Sequence, residues 1–345
     1  MKILLAGGGT LGPVTPLLAV AEEVRRLDPK AAFVWAGTSI GPERPLIEGM
    51  GIPFHAVPAA RITRYASVEW LLLPFKAVAA FWSAFQLLRA EKPDLVGAAG
   101  GYTGVPFAVF GKVLGIPVWL HQPDVRPVLS NTVAAPCASF VTVAWEKTAA
   151  AFGKKAIVTG NPVRAGFAAH ERVPQVRPKL LVLAGGTGSQ WINRAVAQSL
   201  DRILAVADVV HVTGLGKNEG WKDRPGYVVR EFVEDPQEMA SLYASASVAV
   251  VRAGMGVLGE LSAARVPSVI VPIPGSLQEA NASAAEDAGA AFVVRQEEGM
   301  AALGDAVVAL LSDNEKQRVL AEKVGALLPS GAAERIAKRL MEAVG

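Results

Sequence analysis

Lys2-Ile-Leu-Leu-Ala-Gly-Gly-Gly-Thr10 and Lys179-Leu-Leu-Val-Leu-Ala-Gly-Gly-Thr-Gly188 are two versions of one phrase. In each, a short apolar run ends in a glycine cluster and gives way to a helical pattern. That is how a buried parallel strand turns into the N-terminus of a helix. Two such units predict two Rossmann-like halves, and a cleft between paired α/β domains is a natural place to hold a nucleotide beside a second substrate.

Working outward from the two phrases, apolar runs alternate with helical stretches. Strands are expected at Ile3–Ala6, Ala32–Ala36, Leu95–Ala98, Val118–His121, Phe140–Ala144 and Ala156–Val158. The rhythm resumes at Leu180–Leu183, Val209–Thr213, Tyr227–Phe232, Val248–Val251, Ser268–Val271 and Ala291–Val294. Such alternation argues for parallel sheets with crossover helices. The domain boundary is expected at Gly160-Asn-Pro-Val-Arg164, which gives a first domain of residues 1–162 and a second of 163–331. The amphipathic segment from about 332 to 345 crosses back to cap the first.

The chain has 345 residues, enough for two cores by the usual size of domains. A formal charge of +3 is too small an excess to argue for nucleic acid. It is compatible with an anionic membrane surface or a phosphorylated substrate. Cys137 is the single cysteine, so no intrachain disulfide or Cys-rich metal site is expected, and a cytoplasmic protein is the simple inference. The N-terminus runs directly into a strand, without the pattern of a cleavable signal. The greasiest stretch, Val68 to Leu88, carries Glu69, Pro74 and Lys76, and its uncharged runs are well short of the ~20 residues that a membrane span needs. Trp70, Leu71, Leu72, Leu73, Phe75, Phe81, Trp82 and Phe85, with Arg61, Arg64, Lys76 and Arg89 around them, suit either an element lying in a lipid interface or a core or dimer helix.

The first glycine loop also satisfies Gly7-x-Gly9-x-x-Gly12, a dinucleotide pattern. The acidic residue expected at the end of the second strand to bind ribose is missing, because Phe33-Val-Trp-Ala36 runs into Gly37-Thr38. More informative is Arg252-Ala-Gly-Met-Gly-Val-Leu-Gly-Glu260, followed by Pro272-Ile-Pro-Gly-Ser-Leu-Gln278-Glu-Ala-Asn281. Small residues there let a ligand approach the backbone at a helix start, whose amides and dipole suit a diphosphate. Glu260 can clamp a ribose diol. Gln278 and Asn281, three apart on one helical face, can read sugar hydroxyls.

With these motifs the chain resembles the MurG family, the bacterial transferases that convert lipid I to lipid II with UDP-GlcNAc. The likeness runs nearly end to end. It is carried by Gly8-Gly-Thr-x-Gly12 with Pro16 and Leu18-Ala-Val-Ala21, Gly100-Gly-Tyr-x-Gly104, Gly115-Ile-Pro-Val118 leading to His121, and Gly160-Asn-Pro-Val-Arg164. Further along come Gly185-Gly186, Glu231-Phe232, Arg252-x-Gly254 with Glu260, and Gln278-x-x-Asn281-Ala282. The resemblance implies a GT-B fold, α/β with two Rossmann-like domains facing a central cleft. It implies a cytoplasmic-face, peripheral membrane enzyme of peptidoglycan synthesis, with UDP-GlcNAc and undecaprenyl-pyrophosphoryl-MurNAc-peptide as substrates and no metal or cofactor. By the same match Val233 lies beside uracil, while Met255, Gly256, Val257, Leu258, Gly259 and Glu260 meet diphosphate and ribose. Gln278 and Asn281 meet GlcNAc, Arg164 and Thr187 approach the donor, and Thr10, Leu11 and Gly12 meet substrate from the first loop.

The implied chemistry is an inverting displacement assisted by a general base. At this point the chain departs from its family. The loop histidine is replaced by Pro13, and the family's His-Glu-Gln-Asn is His121-Gln-Pro-Asp124. Asp124 then takes the proton, with His121 as orienter or alternative base, or else His121 is a core histidine. His55, His170 and His211 sit in no constellation. Two other functions stay open: a GT-B transferase for another lipid acceptor, and a non-catalytic sugar-nucleotide-binding protein.

Overall fold

Strands buried on both faces read as continuous apolar runs, and that is how the core of each half is built. We describe a computed structural model covering residues 1–58, 73–167, 176–184, 188–218 and 220–345. Its described residues divide into two compact units, Met1–Arg164 with Pro329–Gly345, and Ala165–Leu328.

The first unit runs β1 (Lys2–Ala6), α1 (Thr15–Leu27), β2 (Ala32–Gly37), α2 (Glu43–Gly49), β3 (Phe54–Ala56), α3 (Leu73–Glu91), β4 (Leu95–Ala98), α4 (Gly104–Val113), β5 (Val118–Gln122), α5 (Leu129–Ala134), β6 (Phe140–Val143) and β7 (Ala156–Val158). Its sheet, in the order β3-β2-β1-β4-β5-β6-β7, is parallel throughout. Ile3, Leu4 and Leu5 are at most 1 % exposed, each burial worth roughly 1.5–3 kcal/mol. Trp119 of β5 fits the sheet because its partner on β4 is Gly97, where a Cβ would stand 2.7 Å from the indole.

The second unit runs β8 (Lys179–Leu183), α6 (Gln190–Val206), β9 (Asp208–Val212), β10 (Tyr227–Arg230), α7 (Pro236–Ser245), β11 (Val248–Val251), α8 (Met255–Ala264), β12 (Ser268–Ile270), α9 (Leu277–Asp287), β13 (Phe292–Val293), α10 (Met300–Leu311) and α11 (Asn314–Gly325). Its sheet order is β10-β9-β8-β11-β12-β13, again parallel. The chain then returns to the first unit as α12 (Ala332–Val344), which packs on α1 and buries Ile336, Ala337 and Leu340. Gly160, at φ +82°, passes so close to Pro329 that a Cβ there would meet the Pro329 carbonyl oxygen at 2.2 Å.

β3 is the one described strand that the apolar pattern does not predict. It is three residues long, lies at the sheet edge and carries His55 at its centre.

α3 is rich in good helix formers, Ala, Leu, Gln, Lys, Arg and Glu. Phe81 and Phe85 turn inward to Phe110 of α4, with ring centroids 6.0 and 5.2 Å apart. On the other side Phe75, Val78 and Trp82 are 73, 71 and 59 % exposed. Among the described residues no helix is long and apolar enough to cross a membrane. Arg61, Arg64, Trp70, Leu71 and Leu72 lie outside the described residues, as does His170.

Candidate functional site

In an open parallel sheet, ligands bind beyond the carboxyl ends of the strands where the strand order reverses. That reversal falls between β1 and β4 in the first sheet and between β8 and β11 in the second. Among the described residues the loops leaving three of these strands are Gly7–Gly12, Gly100–Gly104 and Arg252–Gly254; Thr10, Leu11 and Gly12 lie in the first, and Met255 to Glu260 follow directly on the last. Thr187, with Gly185 and Gly186, lies outside the described residues.

In the first unit the glycine loop is held from beneath by Glu43, the first residue of α2, which is fully buried. Its carboxylate accepts the Thr38 amide at 2.7 Å, the Thr38 hydroxyl at 2.6 Å and the Gly9 amide at 3.3 Å. An acidic side chain therefore does reach the end of β2, but it comes from α2 and is spent on the protein's own backbone. Gly8 and Gly41 are required here, since a Cβ on either would overlap this carboxylate. Gly9, at φ +83°, lies against Tyr102 Oη, and Gly101 lies against Pro13, so the two loops of this unit pack together. Thr10 and Gly12 are exposed and Leu11 is half-buried, its carbonyl accepting the amides of Val14 and Thr15 at 3.0 Å. With the Gly9 amide committed to a carboxylate, Thr10 to Gly12 carry whatever this loop offers a ligand.

At the end of β5, His121 is 0 % exposed and both ring nitrogens are engaged. Nε2 donates to Asn161 Oδ1 at 3.2 Å, and Nδ1 accepts from the Thr142 hydroxyl at 2.9 Å, which in turn accepts the Trp119 indole N–H at 2.8 Å. Burial pushes the imidazole down to about 4, against a small opposing pull from Asn161, so it stays neutral. His121 thus ties the Gly160–Arg164 segment to the sheet, and neither nitrogen is left for a substrate proton. The next residue, Gln122, shapes the following loop. Its amide nitrogen donates to the carbonyls of Asp124 and Arg126 at 2.9 and 3.1 Å, and its oxygen accepts from Val128 N and Asn131 Nδ2. Asp124 is placed on this braced loop, half-buried, past the carboxyl end of β5. Arg164 puts two of its N–H donors on Glu22 of α1, with Nε at 2.8 Å.

In the second unit α8 starts at Met255 behind Gly254, which caps the helix without a side chain. No acidic residue stands in the first turn, and a helix N-terminus of this kind suits an anion. Gly256 and Val257 are half-buried on this turn, while Met255, Leu258 and Gly259 are buried. Arg252 staples the surroundings, donating to the Val271 and Pro272 carbonyls at 3.0 and 3.2 Å and to Ser189 Oγ. Ser189 in turn caps α6 through the Ile192 amide. Burial lowers the guanidinium to about 10, still charged at neutral pH. Asn281 is fully buried and donates to the Ala253 carbonyl at 3.1 Å, so it braces the turn before α8. Gln278 accepts the Ile273 amide at 3.3 Å and orders the loop ahead of α9. Val233 is 7 % exposed beyond β10. Glu260, one turn into α8, accepts the Tyr243 hydroxyl at 2.8 Å.

Glu43, Thr142, Asn131, Asn193 and Tyr243 were not singled out in the sequence. Each earns its place by a contact many residues away, and no local spacing signals it. His211 repeats the His121 arrangement, with the Tyr227 hydroxyl at Nδ1 (2.9 Å) and Asn193 Oδ1 at Nε2 (3.0 Å). Burial likewise lowers it to about 4. Among the described residues no three His, Cys, Asp or Glu side chains gather to hold a metal.

Comparison with known proteins bears on both units. The glycosyltransferase family 28 N-terminal domain matches residues 3–143 and the family 28 C-terminal domain matches residues 179–340. A protein of Clostridium kluyveri named UDP-N-acetylglucosamine–N-acetylmuramyl-(pentapeptide) pyrophosphoryl-undecaprenol N-acetylglucosamine transferase is 31 % identical over 86 % of this chain and 87 % of its own. Among solved structures, Acinetobacter baumannii MurG matches with a TM-score of 0.75 at 24 % identity over 99 % of both chains. The glycotransferase of kitacinnamycin matches at 0.73 and 17 % over 100 % of this chain and 99 % of its own. These likenesses agree with a GT-B architecture of two Rossmann-like domains.

Proposed function

The chain belongs to glycosyltransferase family 28, as a member of its MurG family, and from that premise we propose that it transfers GlcNAc from UDP-GlcNAc to undecaprenyl-pyrophosphoryl-MurNAc-peptide, converting lipid I to lipid II. The observation that carries this reading is the glycine-capped N-terminus of α8, with no acidic side chain in its first turn, at the strand-order reversal, with Glu260 one turn behind it. Amides at that end receive the diphosphate, and the Glu260 carboxylate accepts hydrogen bonds from the ribose diol. Val233 lies by the base. Gln278 meets the sugar, with Asn281 holding the turn beneath.

The acceptor's 4-hydroxyl oxygen forms a bond to the anomeric carbon as the bond from that carbon to the UDP oxygen breaks, its electron pair leaving with UDP. Asp124 takes the hydroxyl proton, and the configuration inverts. Gln122 fixes the loop that carries Asp124, and His121 anchors the strand behind it. The α8 dipole and amides stabilise charge developing on UDP.

A polyprenyl acceptor has to be met at a membrane. The exposed Phe75, Val78 and Trp82 of α3, with Lys76 and Arg89 on the same helix, support peripheral association with the anionic cytoplasmic leaflet. The deciding assay supplies purified protein with UDP-GlcNAc and a lipid I analogue and scores both UDP release and the disaccharide. UDP-GlcNAc binding with no disaccharide would sink the lipid I reading and redirect the search to other lipid acceptors or a binding role.

A further inference from the structure

Tyr243 of α7 is completely buried, yet it carries a hydroxyl. The oxygen is matched to one acceptor, Glu260 Oε2, at 2.8 Å. Its ring lies edge-on to Phe167, with centroids 5.5 Å apart, and so is fixed from the other side. Glu260 is only half-buried. A glutamate on a helix surface has three rotatable bonds, and a carboxylate asked to receive a diol must be held in one orientation to do so well. The buried phenol supplies that restraint. Burial first, and then the neighbouring carboxylate, hold its ionisation well above the ordinary tyrosine value, so it remains a donor at any working pH.

We propose that Tyr243 is a positioning residue for the donor nucleotide, orienting the Glu260 carboxylate toward the ribose hydroxyls and so setting the preference for a ribonucleotide. This rests on the assignment of Glu260 to ribose made above. Tyr243 itself touches no substrate. It acts at binding and leaves the chemical step alone.

Calorimetric titration of the full chain with UDP and with 2′-deoxy-UDP tests both layers separately. Wild-type protein is expected to prefer UDP by about tenfold or more, the scale of a lost charge-assisted hydrogen bond. E260Q brings the ratio close to one. Y243F keeps the ring and its packing on Phe167, and is expected to cut the ratio by about three- to tenfold with 2′-deoxy-UDP affinity unchanged. In turnover, Y243F raises the KM for UDP-GlcNAc and leaves kcat within about twofold. E260D draws the carboxylate back from the phenol without disturbing the buried ring, and is expected to shrink the ratio as well. A wild-type ratio in Y243F or E260D, with E260Q at one, overturns the role of Tyr243 and leaves Glu260 standing. Equal weakening of both nucleotides in Y243F also overturns it, in favour of a purely structural role. A wild-type ratio in E260Q overturns the ribose assignment and this proposal together.

Discussion

The Glu43 carboxylate lies beneath Gly9 and accepts its amide hydrogen, with both carboxylate oxygens 3.3 Å from the nitrogen. A glycine loop of this shape can wrap a bound anion. Here one such anion is a side chain of the protein. E43Q turns an acceptor-only group into one that also presents N–H donors to the Thr38 and Gly9 amides. It is expected to cost roughly 2–3 kcal/mol in urea unfolding. The KM for the lipid acceptor should rise while UDP affinity holds, and an unchanged acceptor KM in a destabilised E43Q would separate the loop from acceptor binding.

The two buried histidines make stability depend on acid. Each has a folded value of about 4 against 6.5 for the free side chain. Between those values the unfolded chain binds more protons than the native one, so native stability is fully present above pH ~6.5 and falls as the pH drops toward 4. By pH 5 the loss is about 2 kcal/mol for each histidine. Urea midpoints measured from pH 7 to 4.5 should show it, and H211Q should flatten the curve. A midpoint independent of pH across that window would contradict the buried neutral state.

D124N removes the proposed base while retaining its shape. It should lower kcat by about 10²–10⁴ with UDP-GlcNAc affinity unaltered. Full turnover of D124N at saturating substrates would take the role away from this residue.

The outer face of α3 predicts a separable membrane phenotype. F75E combined with W82E should abolish co-flotation with vesicles containing anionic lipid, yet leave kcat on a short-chain, water-soluble acceptor within about twofold. Flotation equal to the wild type would move the lipid contact elsewhere.

G160A places a Cβ on a left-handed backbone against the Pro329 carbonyl. A loss of roughly 2–4 kcal/mol is expected by thermal or urea unfolding. A neutral result would show that the segment yields.

Much of the architecture was legible because parallel strands are buried on both faces, so Ile3–Ala6 or Val248–Val251 announce themselves as apolar runs. β3 escaped because three residues around His55 at a sheet edge carry no such pattern. The glycine loops and the α8 turn were legible for a similar reason, since close backbone approach demands small residues in sequence. Their supports were not. Glu43 reads as an ordinary acidic residue at a helix start, and Tyr243 as one aromatic among several. Arg252, read beside a diphosphate site, spends its hydrogen bonds on Ser189 and the carbonyls after β12. His121 stood open between two readings in the sequence, because its partners Thr142 and Asn161 lie 21 and 40 residues away.

The return of α12 to α1 has a consequence for how the protein is made. A ribosome delivers the chain from its N-terminus, and domains tend to fold as their residues emerge. The second unit has all its residues once Leu328 is out, whereas the first must wait for the last seventeen, Pro329 to Gly345, before Ile336 and Leu340 can cover α1. The unit begun first is therefore finished last, and a chain cut short by even one helix leaves a nascent apolar stripe on α1 for a chaperone to hold or a protease to find.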